Sequence, residues 1–244
     1  MKRHTIILAL ALSGITGPSQ TVHSPDMPSG NTAIFGPIQS TSGRPTVRYQ
    51  QVFSRSDFSS MEGGAYLTQI AFNYQFQVAP FPGGAVASNI QVKVSTTQKS
   101  VDGLSATFAD NIGSDETMVY GIGPVIMPPN DRPGFDVFIA FTTPFLYNPQ
   151  AGNLLLEILN FGGFGGIGGP IADPPFFDAH DQLGDSVSRL WGDNVNASVG
   201  GLDSIGLLTQ FTFVPIPEPT PLAILALGIA GLLARLRLEI KGKR

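Results

Sequence analysis

Apolar and polar residues alternate along most of this chain with the two-residue period of β-strands. Ile70, Phe72, Tyr74, Phe76 and Val78 alternate with Gln69, Ala71, Asn73, Gln75 and Gln77, which predicts a strand buried on one face. Ile90, Val92 and Val94 interleave with Gln91, Lys93 and Ser95, and Phe135, Val137, Ile139 and Phe141 with Asp136, Phe138 and Ala140. Weaker strands are expected over 48–53, 117–122, 154–160, 186–191 and 207–213, separated by Gly, Pro, Asn and Asp clusters. Pro144 should stop the strand that ends at Phe141. Asn148-Pro149 should then open a turn and Gly152 close it, with the chain returning over 153–160. No internal repeat is visible, which argues against a solenoid. Eight or more short strands predict an all-β fold, a single β-sandwich of jelly-roll type over residues 24–213.

The two ends follow a different rule. Lys2, Arg3 and His4 precede the apolar run 6–12, and Ser13, Gly14, Gly17, Pro18 and Ser19 break it. A basic start, a short apolar centre and small residues after it predict a signal peptide over 1–19, cut after Ser19 with Gly17 three positions back. At the other end Pro215, Pro217, Pro219 and Pro221 make an extended spacer over 214–221. Residues 222–234 carry no charge, and Arg235, Arg237, Lys241, Lys243 and Arg244 follow, interrupted only by Glu239. As a helix the uncharged run spans about 20 Å, against a hydrocarbon core of roughly 30 Å. Leu236, Leu238 and Ile240 extend the apolar pattern to about 28 Å when Arg235 and Arg237 turn their charges to the interface. A transmembrane helix over 222–234 with a basic cytoplasmic tail over 235–244 is therefore expected. Both basic ends stay on the cytoplasmic side, so the middle of the chain is the part exported.

This C-terminal order resembles the PEP-CTERM sorting signal, also known as the ice-binding protein C-terminal domain. Pro217, Glu218 and Pro219 form the triplet, ahead of a short apolar helix and an Arg-rich tail. Glu239 is the one departure. The resemblance implies a substrate of an exosortase, an integral-membrane cysteine transpeptidase acting near the triplet. The body would then be released, or re-attached to the envelope or to the exopolysaccharide matrix. Residues 142–156, 186–198 and 209–213 resemble the β-rich extracellular body of other proteins with this signal, which implies architecture and destination but no activity.

Charge and composition narrow the function classes. The exported part carries seven Lys and Arg against seventeen Asp and Glu, a net charge of −10. It has no basic patch, which argues against nucleic acid as a partner, while an acidic surface suits solubility and leaves room for divalent cations. Cysteine is absent, which removes disulfides, thiolate metal sites and cysteine catalysis, so stability rests on core burial. Charged residues are 13% of the chain, against roughly 25% in an ordinary soluble domain, while Gly and Pro number 29 and 20. Such a chain makes turns and few amphipathic helices.

Motifs for chemistry are sparse. Gly163, Gly165 and Gly168 satisfy G-x-G-x-x-G after a predicted strand, but Pro170, Pro174 and Pro175 block the helix whose N-terminus would hold a pyrophosphate. A Gly-rich loop is expected instead. Gly184-Asp185-Ser186 resembles the GDS block of a family of serine esterases, with His180 and Asp178 as conceivable partners of Ser186. The block lies late, however, and His180, the only histidine in residues 24–213, precedes it. Asp173, Asp178, Asp181, Asp185 and Asp193 concentrate carboxylates that suit Ca²⁺, with Asp178, Asp181 and Asp185 as its ligands, although the spacing fits no EF-hand. Glu62, Glu116 and Glu157 are the only glutamates of the body, and none stands in a glycosidase motif. Trp191, Tyr66, Tyr120 and Tyr147 are the aromatics for stacking on a sugar, against a core role. Thr96-Thr97 and Thr142-Thr143 are isolated pairs, not the flat threonine array that ice binding needs.

The sequence thus predicts an exported, non-catalytic envelope or matrix protein. Its functional residues are Pro217, Glu218 and Pro219 as the sorting motif and Arg235 and Arg237 as the membrane stop. No residue is assigned a catalytic role, and Ca²⁺ is the only cofactor considered. A secreted carbohydrate-binding module is the second expectation, and a hydrolase built on Ser186 or a carboxylate pair the third.

Overall fold

The computed structural model describes residues 17–27, 29–34, 36–39, 45–61, 63–73, 83–129, 134–167 and 176–216. Most of the predicted signal peptide, the triplet Pro217-Glu218-Pro219, the apolar run 222–234 and the stop residues Arg235 and Arg237 lie outside the described residues. So do Glu62, Asp173, Gly168 and the predicted strand beyond Asn73. Among the described residues no helix is long and apolar enough to cross a membrane.

What is described is an all-β body of antiparallel sheets, with strands numbered here in chain order. The first sheet joins β1 (Gln20–Ser24), β14 (Thr209–Pro215), β4 (Ala65–Phe72) and β7 (Val137–Tyr147), in that order. The second runs β12 (Gly201–Asp203), β11 (Val187–Gly192), β3 (Val47–Phe53), β8 (Asn153–Asn160), β5 (Ala85–Thr97) and β6 (Thr117–Met127). The short β9 (Phe164–Gly166) also pairs with β5. A third, small sheet sets β10 (Phe177–Asp181) between β13 (Ile205–Leu207) and β2 (Thr32–Ile34).

One core joins the sheets. Leu67, Ile70 and Phe211 of the first pack with Phe53, Val92 and Ile158 of the second and with Phe177 and Leu207 of the third. The alternation read from the sequence selects the inward residues. Ile90, Val92 and Val94 are buried while Gln91 and Lys93 are half-exposed, and Val137 and Ile139 are buried while Phe138 is 59% exposed. Each large apolar side chain taken from water contributes about 1.5–3 kcal/mol, which is how a chain without disulfides holds its sheets together.

The second sheet is covered on its outer face as well. Val52, Leu155 and Leu190 point away from the main core and meet Leu104 and Phe108, which come from the connection between β5 and β6. β3 is therefore buried on both sides, which the sequence Arg48-Tyr49-Gln50-Gln51-Val52-Phe53 conceals behind two consecutive glutamines.

Three sequence expectations need correction. Pro144 does not end a strand at Phe141, because β7 continues to Tyr147. The pairing with β4 breaks between Leu67 and Gln69, where Leu67 faces Phe145 and Gln69 faces Ala140, so Pro144 sits in a register irregularity that asks for no donor. The strand expected over 207–213 is two. β13 ends at Leu207 in the small sheet, the Leu208 N–H donates to Asp178 O, and β14 begins at Thr209 in the first sheet. The spacer also starts later than expected, since Val214 and Pro215 still pair with Tyr66 and Ala65. β1 pairs no further than Phe213, so beyond that point β14 has a single neighbour, a position in which proline is tolerated.

Candidate functional site

One end of the body gathers the first and last of the described residues. β1 and β14 are antiparallel neighbours with Gln20 opposite Phe213, so the chain enters and leaves side by side. A Cβ built on Gly17 would lie 3.0 Å from Val214 Cγ1. Two turns flank this point. The first follows a 3₁₀ segment, Arg55–Met61, and reverses through Gly64, whose φ of +96° suits glycine and whose absent side chain leaves room for Ile216. The second is the predicted turn 148–152. There the Ala151 N–H donates to Asn148 O and the Gln150 N–H to Asn148 Oδ1, both at 2.9 Å, as an Asx turn requires.

A buried charge network lies on the outer face of the second sheet. Gln50 of β3 and Lys93 of β5 both stand opposite Glu157 of β8, so three polar side chains line up across three strands. Glu157 Oε1 accepts from Arg48 Nε at 3.0 Å, Arg48 Nη2 at 2.9 Å and Gln50 Nε2 at 3.0 Å. Glu157 Oε2 accepts no hydrogen bond and faces Lys93 Nζ at 3.7 Å. Asn111 ties the covering connection to this row by donating to Gln50 Oε1 at 3.0 Å, and Arg48 stacks 4.5 Å from the Phe108 ring. Lys93 also pairs with Glu116 at 3.2 Å. A lysine thus fills the space between the two glutamates, where a glycosidase would need a water or a sugar. This network fastens a loop.

The residues considered for an esterase do not assemble into a relay. His180 Nδ1 meets Asp185 Oδ2 at 2.7 Å rather than Asp178. Asp178 instead accepts from Asn73 Nδ2 at 3.2 Å and from the Gly30 N–H. The Ser186 hydroxyl is turned to Asp57, which also accepts from Ser24 Oγ at 2.6 Å. The Ca²⁺ set is dispersed in the same way, since Asp181 Oδ1 accepts from Ser204 at 2.7 Å and Asp185 Oδ1 from the Val187 N–H at 2.8 Å. Among the described residues no three Asp, Glu or His side chains converge on one point.

The aromatics considered for sugar stacking are engaged elsewhere. Tyr147 is fully buried with its hydroxyl donating to Gly152 O at 2.9 Å, and Tyr120 Oη donates to Pro124 O at 2.7 Å. Tyr66 is half-buried on β4. Trp191 is half-buried, lies against Gly201 and donates from Nε1 to Asp203 Oδ2 at 3.3 Å. The same Asp203 holds Arg189 through Nε at 2.7 Å and Nη2 at 2.9 Å. The Gly163–Gly165 loop enters β9 instead of a helix, with Gly163 at a φ of +89°.

Burial pushes the Tyr49 and Tyr147 phenols far above their ordinary range, so both act only as protonated donors. Burial also raises the Asp57 and Asp178 carboxyls, more than their hydrogen bonds from Ser186, Ser24, Ser56, Gly30 and Asn73 lower them. A carboxyl raised on folding binds its proton more tightly in the folded state. Its contribution to stability therefore falls as pH rises from the ordinary aspartate value, near about 4, through the raised one. An Asp57→Asn/Asp178→Asn variant should lose that decline, so its urea midpoint should gain on the original chain as pH goes from acid to neutral. A difference between the two that does not change with pH would contradict this.

The sequence signals missed were charges inside apolar runs. Glu157 stands in Leu154-Leu155-Leu156-Glu157-Ile158-Leu159, where a carboxylate must find a partner, and that partner, Arg48, lies 109 residues away. Comparison of the chain with models of known protein families, with curated proteins and with solved structures found no match.

Proposed function

We propose that this chain is an exported β-sandwich held at the outer face of a membrane by its C-terminal apolar segment, as a non-catalytic component of the envelope or extracellular matrix. The observation that carries this reading is the pairing of Gln20 with Phe213. β1 begins directly after the expected cut at Ser19, and β14 leads through Pro215 and Ile216 into Pro217-Glu218-Pro219. A chain inserted at both ends during export has to bring the ends of its folded part to one side, and this fold does so. The sorting motif, the exosortase-type partner and the exopolysaccharide destination come from the C-terminal resemblance.

The strand order supports the jelly-roll form of the sandwich. β1-β14-β4-β7 opposite β3-β8-β5-β6 is the order produced when eight strands wind as two Greek keys, with β9 to β13 inserted before the last strand. The reading needs no cofactor and no nucleic acid.

Replacing Pro217, Glu218 and Pro219 by alanine is expected to leave a longer, unprocessed chain in the membrane fraction. Intact mass of the protein recovered from membrane, medium and matrix is the measurement. Identical masses and the same distribution for both chains would remove the sorting role.

A further inference from the structure

The end of the body where the described residues begin and finish also carries a cavity of about 530 Å³, lined by Arg55, Ser56, Phe58, Ser59, Pro149 and Gln150. Phe58 and Pro149 are buried and form its floor, while Arg55, Ser56, Ser59 and Gln150 are exposed at its rim. The Arg55 backbone is fixed, its N–H donating to Asn153 Oδ1 at 2.9 Å. The Arg55 guanidinium makes no hydrogen bond or ion pair with any described residue. Among the described residues no carboxylate lines the cavity, because Asp57 turns to Ser24 and Ser186 and takes the Ser56 hydroxyl at 3.4 Å, which also meets Ser54 Oγ at 2.8 Å. On an exported part with a net charge of −10, a guanidinium without a partner among the described residues, beside the Ser59 hydroxyl and the Gln150 amide, is a site for an anion.

Chain length says where that anion lies. Ile216 and Leu222 are separated by six residue steps, and six steps cannot span more than roughly 22 Å in any conformation. The headgroup layer takes about 5–7 Å of that distance. If residues 222–234 enter lipid, the cavity is tethered within a short swing of the membrane surface. The opposite end, where β8 finishes at Asn160, is about 25 Å farther away at the usual rise of an eight-residue strand.

We infer that this cavity takes the phosphate of an anionic lipid headgroup in the membrane that holds the chain. Arg55 pairs with the phosphate, and the Ser59 hydroxyl and the Gln150 amide donate to its oxygens. The inference rests on the proposed membrane insertion and adds to it a defined face of the body turned toward the lipid.

The test uses the full-length chain reconstituted in vesicles, exploiting its lack of cysteine. Ala151→Cys, in the turn beside the cavity, and Phe161→Cys, at the far end, each carry a fluorophore, and the lipids carry a quencher on the headgroup. In vesicles rich in phosphatidylglycerol, quenching at residue 151 should be several-fold stronger than at residue 161. Arg55→Glu should cut it to the level found with pure phosphatidylcholine, and Arg55→Lys should keep most of it. Millimolar inorganic phosphate should leave it unchanged; loss of quenching with phosphate would reassign the cavity to a soluble phosphate and overturn the lipid. Equal quenching at both positions in inserted protein, or no effect of Arg55→Glu, overturns the inference alone. A chain that stays off the vesicles overturns the membrane reading with it.

Discussion

Phe211→Ala should destabilise the body by about 4 kcal/mol, the range found when a fully enclosed phenylalanine is cut back. The ring is 0% exposed and stands at the centre of an aromatic chain. It meets Phe53 edge-on at 5.0 Å and Phe58 at 5.2 Å, and Phe58 in turn meets Tyr147 at 5.2 Å. Phe53 belongs to the second sheet, Phe211 to the first, and Phe58 to the 3₁₀ segment Arg55–Met61. The substitution therefore opens a void that three separate elements would have to close, and a backbone held in two sheets relaxes little. A fall in melting temperature on the order of 10 °C is expected for a body of this size, with Phe211→Leu costing much less. Thermal and urea unfolding measure it. A loss below about 1 kcal/mol would mean that the sheets do not meet at this ring.

Glu157→Leu should cost about 3 kcal/mol for a different reason. Removing one side of a buried ion pair leaves the other charged without compensation, and here Arg48 loses its counter-ion, keeping only Ala197 O, while Gln50 loses one of its two acceptors. The double substitution Arg48→Met/Glu157→Leu should recover much of that loss, because no unpaired charge remains beneath Phe108. The Arg48 side chain keeps 19% of its exposure, so part of its charge reaches water, which holds the single loss toward the lower end of the range for such pairs. Equal stability of the single and double variants would show that the pair is not what anchors the covering connection. Amide exchange across 104–113 gives a second measure, since Asn111 fastens that stretch through Gln50.

The strands most legible in the sequence have one wet face. Ile90-Gln91-Val92-Lys93-Val94 and Val137-Phe138-Ile139 announce themselves by alternation because water lies on one side of them. Where both faces are covered the pattern disappears. Gln50 and Gln51 are both fully buried on opposite faces of β3, one holding Glu157 and Phe108 O, the other bonded to Leu207 through N–H and carbonyl. β10 was hidden by its titratable residues. Asp178 and His180 suggest a loop, yet both are buried and satisfied by Asn73, Gly30 and Asp185, contacts that only the folded chain supplies. The cavity around Arg55 was equally invisible, since its rim joins residues 55–59 to residues 149–150 through strands whose pairing no local pattern fixes.

The β1–β14 pair also decides how the body answers a pull. Its two outer ends point the same way, so tension between Gln20 and Pro215 would open the five matched positions one after another, like a zipper, instead of straining them together. A body tugged from both ends would give way at small force, whereas one moored by its C-terminal end alone carries no load through that seam. Were the segment before Gln20 cut away, the mechanical weakness that the shared exit creates would go with it.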